Sequence, residues 1–79
     1  MSESEILAYI GSSADFRNVL ITISEEPKTA SKIALDLGLG PHKVASTLNV
    51  LENCRAVAYD SGKWKSTDLA LKVLQKYFG

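Results

Sequence analysis

The tightest constraint on this chain is the order of apolar residues, glycines and prolines between Pro27 and Lys65. Ala30, Ile33, Ala34 and Leu37 recur at helical spacing behind Thr29, a side chain suited to cap a helix N-terminus. Gly38 then stands where a helix closes through a left-handed residue, and Leu39 dips back toward the core. Gly40-Pro41 opens a second helix, proline being favoured at the first helical position. Val44, Leu48 and Leu51, at i, i+4 and i+7, form its buried stripe, and it ends near Asn53. Residues 55–60 and 63–66 alternate as strands do, around Ser61-Gly62, a hairpin turn signal. A helix set behind so tight a turn projects from the body of a domain, a geometry suited to the major groove of DNA.

The flanks predict three more helices. Ser2 or Ser4 is placed to cap a helix over 4–10, and Gly11 ends it. Ser12-Ser13 starts the next, with Asp15 three residues after Ser12 in a variant of the capping box. Phe16, Val19, Leu20 and Ile23 continue it at helical spacing until Glu25-Glu26-Pro27, because the residue before proline avoids the helical region. Thr67 caps a last helix over 68–78, whose residues Leu69, Val73, Leu74, Tyr77 and Phe78 are apolar on more than one side. The fold class that follows is mostly α with a small β-hairpin (α+β), a single domain over residues 1–79.

Composition narrows the function classes. The single cysteine, Cys54, excludes an internal disulfide and a cysteine-based zinc site, and fits a reduced, cytoplasmic setting. No apolar run approaches the length of a membrane span, and the N-terminus lacks a signal-peptide pattern. Catalysis has no visible constellation. His42 is the only histidine, Glu25-Glu26 reads as a solvated helix end, and Gly38-Leu39-Gly40 lacks the third glycine and preceding strand of a dinucleotide fingerprint. A non-enzyme without metal or cofactor is the expectation. Net charge is zero, but unevenly spread. Residues 1–26 hold five acids against Arg17, a net of −4, while residues 27–79 hold eight cations against four acids, a net of +4. The basic half contains the helix–turn–helix pattern, which points to a polyanion.

With Val44, Leu48 and Leu51 inward, the helix over 41–53 turns His42, Ser46, Asn49, Val50 and Asn53 outward, with Lys43 at the flank. Asn49 carries the donor–acceptor pair that reads adenine, Lys43 suits guanine or a phosphate, and Ser46 and Thr47 suit either. His42, near the N-terminus, suits a phosphate. In the hairpin segment over 55–66, Arg55, Lys63 and Lys65 suit the backbone or the minor groove. Lys28, Ser31 and Lys32, near the start of the preceding helix, suit the backbone as well. Trp64 is expected to pack rather than stack on bases, since so small a domain needs large apolar anchors.

Several spacings agree with a known pattern at once. Arg17-Asn18-Val19-Leu20, then Pro27, Thr29 and Ile33-Ala34, then Leu37-Gly38-Leu39, then Val44-Ala45, Leu48, Leu51-Glu52, Ala56-Val57 and Trp64 resemble small archaeal and bacterial winged helix-turn-helix transcription regulators of the MarR/ArsR-like kind. The resemblance covers roughly three quarters of the chain, from Phe16 to Leu74. It implies a winged helix-turn-helix fold and a sequence-specific regulator of double-stranded DNA, with residues 41–53 as recognition helix and residues 55–66 as wing. The chain departs from the family pattern at Arg55, where glycine is usual, and at Thr47, where arginine is common.

Two further expectations concern partners. Ile6, Leu7, Tyr9 and Ile10 at one end, and Leu71, Leu74, Tyr77 and Phe78 at the other, present more apolar surface than a small core absorbs. A homodimer through the terminal helices 4–10 and 68–78 follows, spacing two recognition helices about 34 Å apart. The alternative function is a protein–protein interaction module, an adaptor in a transcription or replication assembly. Residues 59–69 also resemble the winged-helix tails of some archaeal ATPases.

Overall fold

Each element has a local cause at its boundaries. The computed structural model describes residues 3–78, the last by its backbone alone. It contains α1 (Glu3–Ser12), α2 (Ala14–Glu25), α3 (Ala30–Leu37), α4 (Pro41–Asn53), β1 (Val57–Asp60), β2 (Lys63–Ser66) and α5 (Asp68–Phe78). The chain is thus a small, mostly helical domain with one two-stranded antiparallel hairpin.

Gly11 does not stop α1, which runs on to Ser12. The cap of α2 is Ser13 rather than Ser12: its hydroxyl accepts from the Asp15 N–H at 3.3 Å, while the Ser12 hydroxyl turns back and donates to the Tyr9 carbonyl at 3.0 Å. Arg17 closes the corner by donating to the Ile10 carbonyl at 3.1 Å, one of the acceptors that the end of α1 leaves open. Ser2 lies outside the described residues. The α2 helix stops before Pro27 as expected. Thr29 caps α3 by accepting from Lys32 N–H, and Gly38 ends it at φ 66°. Pro41 opens α4 behind Gly40.

The short segment between α2 and α3 joins the hairpin through one residue. Lys28 N–H donates to the Trp64 carbonyl at 3.0 Å, and Trp64 N–H donates to the Lys28 carbonyl at 2.7 Å. That antiparallel bridge makes Lys28 a third, one-residue strand. Within the hairpin, Val57 pairs with Ser66, Ala58 with Lys65, Tyr59 with Trp64, and Asp60 with Lys63. Ser61 at φ 54° and Gly62 at φ 83° form the two left-handed positions of a tight turn, which suits the twist of the flanking strands.

The core draws on every helix. Ile6, Ile10, Val19, Leu20, Ile23, Ile33, Val44, Leu48, Leu51, Val57 and Val73 are buried together. The stripe expected of α4 is in place; Ala30, expected inward, is exposed at the first turn of α3. The terminal helices lie against their own domain. α1 packs on α2 and α5, and Ile6, Ile10 and Leu74 are buried in the core. This corrects the premise of the dimer expectation, since one core does absorb most of that surface. Leu7 and Tyr9 pack partly against it, Leu71 is half-buried, and Tyr77 stays exposed. The Phe78 side chain lies outside the described residues. No helix among the described residues is long and apolar enough to cross a membrane.

Candidate nucleic-acid interface

The outward edge of α4 follows from its buried stripe. His42, Ser46, Asn49 and Asn53 are exposed, one helical turn apart, and none of their side chains has a hydrogen-bond partner among the described residues. Ala45 and Glu52 are exposed on the same helix. Asn49 and Ser46 therefore hold unused donors and acceptors, the groups that read base edges. Val50 is half-buried and lines a shallow groove with Phe16 of α2, so it belongs to the packing of α4 rather than to its open edge.

Two expected contact residues are withdrawn by the structure. Thr47 lies on the rim of the buried stripe, one turn after Val44; it is 4% exposed, and its hydroxyl donates to the Lys43 carbonyl at 2.8 Å. Lys28 is buried to 9% exposure because its backbone bridges the hairpin. Its ammonium donates to Thr22 Oγ1 at 2.7 Å and to Asp36 Oδ2 at 2.9 Å. Neither side chain is free to meet a ligand.

Asp36 holds a second cation, Lys32, with Nζ 3.0 Å from Oδ1 at the i, i+4 spacing of α3. Hydrogen bonds from Lys28 and Lys32 keep the Asp36 carboxyl below its ordinary range. The hydrogen bond to Asp36 raises the Lys28 ammonium above its own, against the opposing pull of burial. The network ties α2 to α3 through Lys28, whose backbone also pairs with the hairpin. Ser31 is exposed near the start of α3, beside a shallow apolar surface formed with Ala30, Ala34 and Pro41.

The remaining cations divide into paired and unpaired. Lys43 Nζ lies 3.2 Å from Asp15 Oδ2, across from α4 to the first turn of α2. Lys65 Nζ is 3.8 Å from Asp60 Oδ2 on the outer face of the hairpin, where the register sets Lys63 beside it. Lys76 reaches Glu3 at 3.7 Å. Lys63, Lys72 and Arg55 have no ion-pair partner among the described residues. The acidic and basic halves of the sequence thus interleave in space, and Asp15 and Glu3 neutralise cations of the other half.

Arg55 occupies a position that glycine ordinarily fills. At φ 63° it is the left-handed residue after α4. Its N–H donates to the Glu52 carbonyl at 3.0 Å, and the next N–H, of Ala56, donates to the Leu51 carbonyl at 2.8 Å. This is the paired closure of a Schellman motif, here built without glycine. Cys54, just before it, is buried; its thiol donates to the Leu51 carbonyl at 3.4 Å, and burial pushes its pKa up, as in an inert structural cysteine.

On the other face of the hairpin, Tyr59 and Trp64 meet with ring centroids 4.9 Å apart, Trp64 half-buried against the core and Tyr59 exposed. Sequence reasoning placed the packing role of Trp64 correctly and missed Asp15, Asp36 and Thr22. Of these, Asp36 was findable, since it stands four residues after Lys32. Asp15 is 28 positions from Lys43, and no local pattern joins them. Among the described residues, no group of three or more His, Cys, Asp and Glu side chains is placed to hold a metal ion. Comparison with known proteins gives no matching family model and no matching curated relative.

Proposed function

We propose that this chain is a winged helix-turn-helix module that binds double-stranded DNA and regulates transcription by occupancy rather than by catalysis. The observation that carries this reading is the open edge of α4, where the side chains of His42, Ser46, Asn49 and Asn53 have no partner among the described residues, leading directly into a hairpin segment whose cations Arg55 and Lys63 have no ion-pair partner among them either. In this reading α4 enters the major groove. Asn49 pairs with an adenine edge, Ser46 bonds a base or a phosphate, and His42 meets a phosphate near the N-terminus of the helix. Arg55, Lys63 and Lys65 meet the backbone beside it, and Ser31 and Lys32 contribute from the start of α3. The Lys28 bridge to Trp64 supports the reading from the side of the fold, because it docks the hairpin beside the helix pair as a wing. A family likeness to MarR/ArsR-like regulators belongs to the same proposal.

So few free cations make one copy a weak binder. Two copies, touching through Tyr77, Leu71, Leu7 and Tyr9, would double the contacts and space the α4 helices by about one DNA turn. Fluorescence anisotropy with labelled duplex pools tests the reading. Binding should weaken as salt rises, and Asn49→Ala should lose about 1–3 kcal/mol on a selected site while leaving pooled DNA nearly unaffected. Failure to bind any genomic or random duplex at low salt sinks it. Light scattering at high protein concentration tests the second copy, and a monomer there rejects it.

Leu35 favours a second reading. It is 77% exposed on α3, the most exposed large apolar side chain among the described residues. An adaptor that docks a protein partner through α3 explains it. Leu35→Ser would then abolish partner capture while leaving any duplex binding intact.

A further inference from the structure

Lys43 is the one cation on α4, and the fold already supplies it with an anion. We infer that Asp15 is a built-in competitor for the DNA phosphate that Lys43 would otherwise take, an inference that rests on the DNA-binding reading above. Asp15 sits in the first turn of α2, held there by the Ser13 cap, and its carboxylate lies 3.2 Å from the Lys43 ammonium. α2 packs against α4, so the carboxylate is fixed beside the helix that would face the duplex. The pair is not sealed. The Lys43 side chain is 59% exposed and that of Asp15 31%, with solvent reaching both.

Those exposures decide the role. A buried pair would be a structural bolt that DNA could not open. An exposed pair is weak and exchangeable, so an arriving phosphate can displace the carboxylate. Lys43 then changes partner rather than gaining one. Displacing Asp15 also leaves a carboxylate facing the phosphates, which disfavours the bound state further. Asp15 therefore holds affinity down and makes binding less salt-dependent than the number of lysines and arginines suggests. The device acts on the sequence-independent part of binding and leaves the hydrogen-bonding edge at Asn49 untouched.

The test is Asp15→Asn, which keeps the backbone N–H that Ser13 caps and removes only the charge. Wild type, D15N, Lys43→Ala and the double variant are titrated by anisotropy against one labelled random-sequence duplex across a salt series. D15N should bind about five-fold more tightly at low salt. Its log–log salt slope should steepen by about 0.9, the increment for one more neutralised phosphate. The gain must vanish in the Lys43→Ala background. Equal affinity and slope for wild type and D15N overturns the inference, and so does an equal gain in the Lys43→Ala background, which would mark a general charge effect. If neither wild type nor D15N binds any duplex, the DNA-binding reading falls first and takes this inference with it. Circular dichroism confirms that the variants fold. Asp15→Ser, which also removes the charge, repeats the measurement should D15N unfold.

Discussion

Replacing Arg55 with glycine should make the protein more stable and, if α4 and the hairpin bind DNA, make it bind less well. Arg55 sits at φ 63° with an exposed side chain that has no hydrogen bond or ion pair among the described residues. Its structural duties are carried by the backbone. The N–H closes α4 onto Glu52, and the carbonyl accepts from the Thr67 hydroxyl at 2.6 Å. Glycine keeps both. A side chain in the left-handed region costs about 1–2 kcal/mol. Glycine gives back about 0.4–1 kcal/mol of that through the larger freedom of the unfolded chain. The net expectation is a gain of about 0.5–1 kcal/mol. For a domain of this size that corresponds to a rise in Tm of about 2–8 °C.

Urea unfolding followed by Trp64 fluorescence, paired with a thermal melt by circular dichroism, measures it. Arg55→Val is the opposing control and should lose about 1 kcal/mol, since a β-branched residue suits the left-handed region least. A glycine variant no more stable than wild type would refute the claim that the closure of α4 is strained. The same variant tests function. Loss of one phosphate contact should reduce the salt slope of DNA binding by about 0.9. Stability rising while affinity falls would identify Arg55 as a charged residue kept at a strained position for the sake of binding.

Other perturbations test the frame that holds the site. Thr67→Ala removes a hydroxyl that donates to the Arg55 and Ala56 carbonyls and accepts from the Ala70 N–H, so it should cost about 1–2 kcal/mol in urea unfolding. Ile33→Ala empties the fully buried centre of α3 and should cost about 2–5 kcal/mol, a large share of the stability of so small a domain; a loss below 1 kcal/mol would contradict the packing described. The Asp36 carboxyl is held below its ordinary range in the folded state, so its stabilisation is complete above the unfolded carboxylate range and fades as pH falls through the folded value. Lys28, raised above the ordinary lysine value, keeps its contribution below that value and loses it as pH climbs through the raised one. Urea midpoints measured across pH should therefore fall at the acid end in wild type, and Asp36→Asn should lower the neutral midpoint and flatten the acid limb.

The parts of the fold legible in the sequence are those written by local chemistry. Thr29, Gly38 and Pro41 mark helix ends through their own backbone preferences, and Val44, Leu48 and Leu51 mark a face through their spacing. Ser61-Gly62 marks the turn because few residues tolerate two left-handed positions in succession. Errors arose where a neighbour distant in sequence decides. Thr47 is a different case: it stands beside the buried stripe, three residues after Val44 and four before Leu51, so its burial was legible from helical spacing. Lys28 reads as a surface cation at a helix start until its backbone is seen to pair with Trp64, which carries the side chain inward to Thr22 and Asp36. The terminal helices read as surplus apolar surface because nothing local says that α1 and α5 pack on each other.

Charge shows the same limit most clearly, and it bears on function. Counting along the chain gives a basic half beside an acidic one, which suggests a polyanion-binding surface by composition alone. Folding undoes part of the separation, since Asp15 reaches Lys43 and Glu3 reaches Lys76, while Asp36, an acid of the basic half itself, holds both Lys28 and Lys32. Among the described residues, Arg55, Lys63 and Lys72 are the cations of that half without an ion-pair partner. A duplex meeting this protein through α4 would therefore find a polar edge flanked by few free cations. Nonspecific attraction scales with the number of phosphates neutralised, so it would be low. Discrimination between sequences would rest instead on hydrogen bonds at base edges, and His42, Ser46, Asn49 and Asn53 are the side chains of that edge without partners among the described residues. A module of this kind would hold a correct site poorly as one copy and ignore most other DNA, which places the burden of affinity on a second copy or on a partner protein docked at Leu35.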